Sequence, residues 1–209
     1  MSQIHVFVAR HGETEFNRKG MLQGRGIDAP LNKTGRLQAQ RLADYLTNYE
    51  ATSIISSTLT RAWQTASFYE EKTDLNVQKN KGLDEMDFGD FEGVSMKEIT
   101  RELNDLQNGW KSGDVSMRIP GGESPQEVFE RADTAARSYI NGAGAQTVVL
   151  FVHGRLIRVL LSKWLGYGLK NMHKVEHKNG AVNHLILKKG LFEPVYLNKT
   201  DHLEMLTTD

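Results

Sequence analysis

The sequence predicts an α/β fold, a three-layer α/β/α sandwich around a mostly parallel central sheet. Residues 4–9 and 147–152 form two short apolar runs, rich in β-branched residues, which stop at Arg-His-Gly and His-Gly turns. Such runs are typical of strands buried on both faces. Segments with apolar residues at helical spacing alternate with them. This alternation favours parallel strands with helices packed on both sides of the sheet.

The composition limits the kinds of partner. The 209 residues contain 26 Lys plus Arg and 26 Asp plus Glu, so no net charge attracts nucleic acid or a membrane. The absence of cysteine excludes disulfides and thiolate metal sites. The N-terminal residues lack the pattern of a signal peptide, and no apolar run reaches the roughly 20 residues that span a bilayer. We therefore expect one cytoplasmic domain over residues 1–209.

The segment after the first strand is expected to be a loop followed by a helix. A polar, glycine-rich stretch covers residues 13–30, and long ordered loops in compact domains are often functional. Asn32 is the predicted N-cap of the helix that follows. The apolar face of this helix consists of Ala39, Leu42, Ala43, Leu46 and Tyr49.

A second junction between a strand and a helix presents an arginine. Residues 52–56 are predicted to form a strand, and Ser57 is predicted to cap the next helix. Arg61 then lies in the first helical turn, where free backbone N–H groups and the helix dipole favour an anion. Residues 76–79 are expected to form a short edge strand.

The middle of the chain is predicted to form a cap-like insertion over residues of about 86–124. An acidic loop rich in aromatic residues covers residues 83–93. Residues 95–98 (Ser-Met-Lys-Glu) have the pattern of a capping box, which is expected to open a short helix that ends near Asn108. Residues 108–122 are predicted to be irregular.

The last third of the chain again alternates helix and strand. Ser124, Pro125 and Glu127 mark a helix start, with a capping box and a proline in the first turn. The predicted elements are a helix over residues 125–141, a strand over 147–152, an apolar helix over 156–165, a hairpin over 181–187 and 193–197, and a surface tail over 198–209.

Three predicted strand ends present basic side chains. Arg10 and His11 follow the first strand, Arg61 follows the second, and His153 follows the most apolar one. Because the carboxyl ends of neighbouring parallel strands meet at one edge of a sheet, these side chains are expected to form a pocket for a tetrahedral dianion. A neutral histidine there can attack phosphorus, and the neighbouring arginines disfavour imidazolium.

A leaving alkoxide needs a proton, so this chemistry requires a carboxylic acid nearby. The acidic loop supplies the candidates, and the residue types alone leave the choice open between Asp84, Glu85, Asp87 and Asp90.

The order of these motifs resembles the histidine phosphatase superfamily, also called the phosphoglycerate mutase-like family, from Val6 to about His202. Each motif alone is weak, but six in the family's order are specific. The matching segments are Arg10-His11-Gly12-Glu13-Thr14 with Asn17, Leu22-Gln23-Gly24 with Pro30-Leu31 and Gly35, residues 56–66 around Arg61, Leu83-Asp84-Glu85 with Phe88-Gly89, residues 120–124 (Pro-Gly-Gly-Glu-Ser), and His153-Gly154.

The resemblance implies a phosphoglycerate mutase-like fold and a phosphohistidine mechanism that needs neither a metal nor another cofactor. The catalytic residues it implies are His11 as the nucleophile, Glu85 as the proton donor and then the base, and His153 on the phosphoryl oxygens. The substrate-binding residues it implies are Arg10, Asn17, Arg61 and Gly154 at the phosphate, with Gln23 and Gly24 beyond it.

The sequence departs from the family's pattern at two points. The run over residues 24–28 is one residue longer than usual. Arg155 follows Gly154, at a position where the family often has a small residue. Its side chain either adds positive charge at the pocket or turns away into an ion pair. Of these two placements, we expect the ion pair. Trp110 is a candidate for the lining of a substrate pocket. The helical spacing of His173 and His177 does not favour a metal site, because no carboxylates accompany them.

We predict a phosphatase that acts on a small phosphomonoester, such as a sugar phosphate. The alternatives are a cofactor-dependent phosphoglycerate mutase and a non-catalytic module that binds phosphorylated ligands. In the mutase branch, Glu-Arg-His-Tyr continues the acid motif, whereas here Met86 and Asp87 are expected to repel a substrate carboxylate. The motifs look most like the α-ribazole-phosphate and broad-specificity phosphatase branches, with a fructose-bisphosphatase-like branch as the alternative.

Overall fold

The computed structural model describes residues 3–142, 144 and 146–206, and its strands form one six-stranded sheet. The strands are β1 (Ile4–Arg10), β2 (Ser53–Ser56), β3 (Val77–Lys79), β4 (Thr147–Val152), β5 (Val182–Lys188) and β6 (Leu191–Lys199). Their order in the sheet is β3-β2-β4-β1-β5-β6. The first four are parallel, whereas β5 is antiparallel to β1 and to β6. The predicted mostly parallel sheet and its closing hairpin are therefore confirmed.

Helices cover both faces of this sheet. The α-helices are α1 (Glu15–Arg18), α2 (Lys33–Leu46), α3 (Thr60–Glu70), α4 (Thr100–Ser112), α5 (Pro125–Ile140) and α6 (Gly154–Trp164). Short 3₁₀ helices cover Lys81–Leu83, Gly89–Phe91, Leu169–Lys174 and Asp201–Leu206. In the part of the chain that the structure describes, no helix is long and apolar enough to cross a membrane.

The central strand β1 shows why the molecule has three layers. Its side chains alternate between the two faces of the sheet, as the period of a strand requires. Val6 and Val8 lie in the core beneath α5 and α6, whereas Phe7 and Ala9 lie in the core beneath α2 and α3. All four side chains are buried, which explains why this segment is continuously apolar.

The structure differs from the prediction at α1 and at the start of α3. The expected loop over residues 13–30 contains α1, which has Thr14 as its N-cap in a capping box with Asn17. Ser57 does not cap α3, because its hydroxyl group donates to Asp84 and α3 begins after Leu59, without a side-chain cap bond. Asn32 caps α2 as predicted.

The predicted helix start at residues 95–98 is wrong. The backbone of this segment pairs with the chain around Met21: Leu22 N–H donates to Val94, and Met96 N–H donates to Gly20. This pairing holds Ser95 in an isolated bridge, so α4 starts only at Thr100. The helix also extends beyond Asn108 to Ser112 and ends at a left-handed Gly113, so the first residues of the segment that we expected to be irregular are helical.

A third apolar cluster joins this middle segment to the rest of the molecule. It contains Met86, Phe88, Leu106, Trp110, Ile119, Val128, Val159 and Met172, among others. Because Val159 belongs to α6 and Leu106 and Trp110 belong to α4, the cluster packs α4 over the helix that follows His153.

The expected surface tail also differs, because residues 201–206 form a 3₁₀ helix that packs against α2. Residues 207–209 lie outside the described residues.

Candidate active site

The rings of His11 and His153 lie side by side at the carboxyl ends of two neighbouring strands. Their centroids are 5.2 Å apart, and the ring planes are tilted by 57°. The register of the sheet produces this proximity, because Arg10 is paired with Val152, and each histidine is the next residue in its chain segment. Both rings are almost completely buried.

The surroundings of His11 select one tautomer. Its Nδ1 lies 2.7 Å from the carbonyl oxygen of Gly12, and a carbonyl oxygen only accepts, so Nδ1 carries the proton. The neutral ring then has its lone pair on Nε2. Burial, followed by the charges of Arg61 and Arg10, lowers the pKa of His11 well below its usual value, so the ring is neutral at physiological pH.

Two arginines supply positive charge beside these rings. Arg61 is fully buried and donates to the carbonyl oxygens of Ile27 at 2.8 Å and Gly24 at 3.1 Å. Arg10 donates through one terminal nitrogen to the carbonyl oxygen of His177 at 3.2 Å and to its Nδ1 at 3.1 Å. The Nε of both arginines is buried with no partner among the described residues, and burial lowers the pKa of each to about 10.

His153 has unused hydrogen-bonding capacity. Neither of its ring nitrogens has a partner among the described residues, although both atoms are buried. Burial and the charge of Arg61 hold the pKa of His153 well below its usual value. A buried polar group without a partner costs free energy, and a bound oxyanion would use such a donor.

Glu85 lies at the N terminus of α6. Its Oε2 accepts the backbone N–H of Arg155 at 3.0 Å, and its Oε1 accepts those of Leu156 at 3.0 Å and Met86 at 2.9 Å. The side chain is 5% exposed. A carboxylate in this position complements the positive end of the helix dipole. Because α6 begins directly after His153, Glu85 lies beside the backbone that follows this histidine.

The other acids of the loop are placed differently. Asp84 is buried and engaged by hydroxyl groups of the segment after β2. Asp87 accepts a backbone N–H of its own loop, and Asp90 is exposed. Of the four acids that the residue types left open, Glu85 is the one that lines the cavity described next.

Arg10 and Glu85 line a cavity of about 430 Å³, whereas the buried side chains of His11, Arg61 and His153 are not among its lining residues. Its walls come from the segment after β1, the N terminus of α6, the segment before β5, and α4 with its preceding turn. The lining residues are Arg10, Asn17, Met21, Leu22, Gln23, Glu85, Phe88, Met96, Leu103, Gln107, Gly154, Arg155, Arg158, His177 and Asn179. Among the described residues, no group of three or more His, Cys, Asp or Glu side chains is arranged to hold a metal ion.

Four of the six predicted substrate-binding residues line this cavity, namely Arg10, Asn17, Gln23 and Gly154, whereas Gly24 and Arg61 do not. Asn17 lines it and accepts a hydrogen bond from Asn179 at 3.0 Å. Gln23 and Gly154 also line it, whereas Gly24 is not among the lining residues. A Cβ on Gly24 would lie 2.1 Å from Glu92 Oε1, so the glycine lets this loop pass close to the acidic loop.

Two residues that the sequence analysis did not assign to the pocket also line it. His177 contacts Arg10, and a Cβ on Gly154 would lie 2.7 Å from its ring. Asn179 donates to the carbonyl oxygens of His11 and Gly12. Both residues precede β5, which returns antiparallel beside β1, so only the order of the strands brings them to the pocket.

Two further expectations about this pocket are wrong. Arg155 was expected to turn away into an ion pair, but it lines the cavity and no described carboxylate pairs with its guanidinium. Trp110 is not among the lining residues; it is buried in α4, where its indole N–H donates to Met117 and its ring faces the Arg155 guanidinium at 5.6 Å.

Comparison with known proteins agrees with this arrangement. A model of the histidine phosphatase superfamily (branch 1) matches residues 6–200. "Putative phosphoserine phosphatase 2" of Hydrogenobacter thermophilus is 28% identical over 202 residues, which cover 97% of this chain and 98% of that protein. "Probable phosphoglycerate mutase GpmB" of Salmonella paratyphi C is 29% identical over 186 residues, with coverages of 87% and 84%.

A solved structure of a mycobacterial glucosyl-3-phosphoglycerate phosphatase has the same fold. It superposes with a TM-score of 0.84 at 26% identity and covers 94% of this chain and 100% of that one. The predicted fold is confirmed by this superposition. Because the family model covers most of the chain, the family prediction is confirmed as well: this chain belongs to the histidine phosphatase superfamily.

Proposed function

We propose that the protein hydrolyses a small phosphomonoester through a phosphohistidine at His11. The observation that carries this proposal is the neutral His11 ring beside two buried arginines. Its Nδ1 is fixed by Gly12, and its Nε2 has no hydrogen-bond partner among the described residues. This is the state that a nitrogen nucleophile needs next to an anionic substrate. Two relatives with phosphatase names support the same reaction class.

The first step transfers the phosphoryl group to the protein. His11 Nε2 attacks phosphorus, and the bond between phosphorus and the ester oxygen breaks. Glu85, in its protonated form, gives its proton to the leaving oxygen, and the product is a free alcohol. Arg10, Arg61 and His153 stabilise the charge on the three equatorial oxygens through preorganised donors.

The second step returns the protein to its starting state. A water molecule attacks phosphorus, and the bond between phosphorus and His11 Nε2 breaks. Glu85 takes a proton from this water and is ready for the next cycle, while inorganic phosphate leaves. The backbone N–H of Gly154 and the side chain of Asn17 assist at the phosphate, and Gln23 contacts the remainder of the substrate, with Gly24 shaping the loop that carries it.

The rest of the substrate lies under a cap formed by residues of about 86–124. Met96, Leu103 and Gln107 of this segment line the cavity, and α4 packs on α6 through Trp110 and its neighbours. A volume of about 430 Å³ suits a small metabolite, such as a sugar phosphate, rather than a polymer.

The test is phosphate release from p-nitrophenyl phosphate and a panel of sugar phosphates and phosphoglycerates. We expect wild-type turnover that excess EDTA leaves unchanged, and loss of turnover by roughly a thousandfold or more in His11→Asn. The matched control is His173→Asn, which changes an exposed histidine outside the cavity. Turnover that survives in His11→Asn, or that requires Mg²⁺, would refute the proposal.

The same panel separates a phosphatase from a mutase. With 3-phosphoglycerate as substrate, we expect release of inorganic phosphate to exceed transfer to the 2-position. Interconversion that outpaces phosphate release in a coupled assay would assign the chain to the mutase activity instead.

A further inference from the structure

Two arginines of α6 stand beside the proposed phosphate site without an assigned role. Arg155 and Arg158 are three residues apart, so they lie on the same side of the first turns of the helix. Both line the cavity, next to Gly154 at the phosphate end. Both residues begin from the backbone within roughly one helical turn of Gly154, about 5 Å along the helix axis.

Among the described residues, no ion pair neutralises the positive charge of these two side chains. No described carboxylate forms an ion pair with either guanidinium, and the Nε of Arg158 is buried without a partner among the described residues. Glu85 and Glu176 act on Arg158 only at longer range, and Glu85 already accepts three backbone N–H groups. Burial and the charge of Arg158 lower the pKa of Arg155 to about 10, which still leaves both side chains charged at neutral pH.

The cap holds Arg155 in this position. The Trp110 ring lies 5.6 Å from the guanidinium carbon, within the range of a cation–π interaction. Trp110 is itself fixed by its hydrogen bond to Met117 and by burial in the third apolar cluster. A guanidinium backed by a fixed aromatic ring is preorganised, and its free donors face the cavity.

We propose that Arg155, together with Arg158, forms a second anion subsite that binds a carboxylate or a second phosphate group of the substrate. This inference rests on the proposed phosphatase function and narrows its substrate class to phosphomonoesters with a further anionic group. It also replaces the expectation that the pocket repels a carboxylate, because Met86 and Asp87, on which that expectation depended, do not line the cavity.

The test compares two matched pairs of substrates. 3-Phosphoglycerate and glycerol 3-phosphate differ by a carboxylate, and fructose 1,6-bisphosphate and fructose 6-phosphate differ by a second phosphate. In the wild-type protein we expect kcat/KM to favour the member with the extra anion in at least one pair by about 10- to 100-fold, as a charge-assisted hydrogen bond implies. The pair that shows the preference identifies the anion.

The variants Arg155→Gln and Arg155→Lys connect this preference to the subsite. Arg155→Gln should bring the kcat/KM ratio within the pair close to one, and Arg155→Lys should retain part of the preference, because it keeps the charge. The ratio is insensitive to any effect on the chemistry that both substrates share. The control is Arg101→Gln, which removes the same charge from an exposed position on α4 and should leave the ratio unchanged.

Equal kcat/KM values within both pairs, or a preference that survives in Arg155→Gln, would overturn the subsite. A wild-type protein that hydrolyses neither these esters nor p-nitrophenyl phosphate would overturn the proposed function instead. In that case calorimetric affinities for the same two pairs decide the subsite by the same criterion, since binding does not require turnover.

Discussion

The buried rings of His11 and His153 lie with their centroids 5.2 Å apart, and both are neutral. Their neutrality follows from burial and from the charges of Arg61 and Arg10 beside them. The positive charge of the pocket therefore resides on guanidinium groups, which stay protonated, while His11 keeps a free electron pair for phosphorus.

His11 should stay neutral through the pH range in which an ordinary histidine titrates. Because its folded pKa is well below 6.5, we expect its ring NMR signals to show the Nδ1-protonated neutral tautomer from pH 8 to pH 5.5. The measurement is ¹⁵N-detected titration of the free protein, with a histidine-containing model peptide as the reference. A His11 midpoint near 6.5 would show that the arginines do not act on this ring as described.

Glu85 should matter most for esters whose leaving group needs a proton. We expect Glu85→Gln to slow release of alkyl alcohols by roughly 10²- to 10⁴-fold and to slow p-nitrophenol much less, because nitrophenolate leaves unprotonated. This expectation requires that phosphoryl transfer to His11 limits the rate of turnover. A pre-steady-state burst of released alcohol would show that a later step limits it instead. Glutamine keeps one oxygen, which can still accept the N–H groups of Leu156 and Met86, but its NH2 group cannot accept the N–H of Arg155. The loss of that one bond affects both kinds of ester, so the comparison between them still reports on the proton.

The control for Glu85 is Asp84→Asn, the neighbouring acid that points away from the cavity. Equal losses for alkyl and nitrophenyl esters in Glu85→Gln would contradict its role as the proton donor, as would a selective loss in Asp84→Asn.

His184 should make the free energy of unfolding depend on pH. Its ring is buried and stacks on the Phe7 ring, with the centroids 4.2 Å apart. Its Nε2 lies 2.8 Å from His5 Nδ1. Burial lowers the pKa of His184 to about 4. Between pH 6.5 and pH 4 the unfolded chain binds a proton at this residue and the folded chain does not. Stability therefore falls as the pH falls through this range, by up to about 3 kcal/mol from this residue.

The measurement is urea unfolding at pH 7 and pH 4.5. The loss of unfolding free energy between the two should be smaller in His184→Gln than in wild type, whereas His173→Gln should lose as much as wild type. His11, His153 and His177 have lowered pKa values too, so some pH dependence remains in every variant. An unchanged difference in His184→Gln would contradict the assignment.

The sequence was sufficient to predict the sheet, since β1, apart from His5, and β4 are predominantly apolar and each leads into a histidine, His11 or His153. It also placed Arg61 in the first turn of a helix, because strand, turn and helix follow within a few residues. These features depend on local periodicity, which a single sequence contains. The start of α4 was misplaced, because the pairing of Ser95 with Met21 is a contact between distant segments that no local pattern encodes.

The same limit applies to the site. His177 reaches Arg10 because β5 returns beside β1, and Arg155 lines the cavity because α4 supplies Trp110 behind it. In both cases the residue type was visible, but the contact that gives it a place in the pocket joins segments more than 40 residues apart. The lysine-rich loop around His177 and the position of Arg155 after Gly154 do not reveal either contact.

The most direct test of the account is to trap the phosphoryl group on the protein. Wild type is mixed with a ³²P-labelled phosphomonoester, quenched in alkaline denaturant without acid, digested and mapped by mass spectrometry. We predict a single acid-labile label on the peptide that contains His11, formed at least as fast as turnover and absent in His11→Asn. A protein that turns over the same substrate without labelling His11, or that carries the label on another residue such as His153 or His177, would contradict the account.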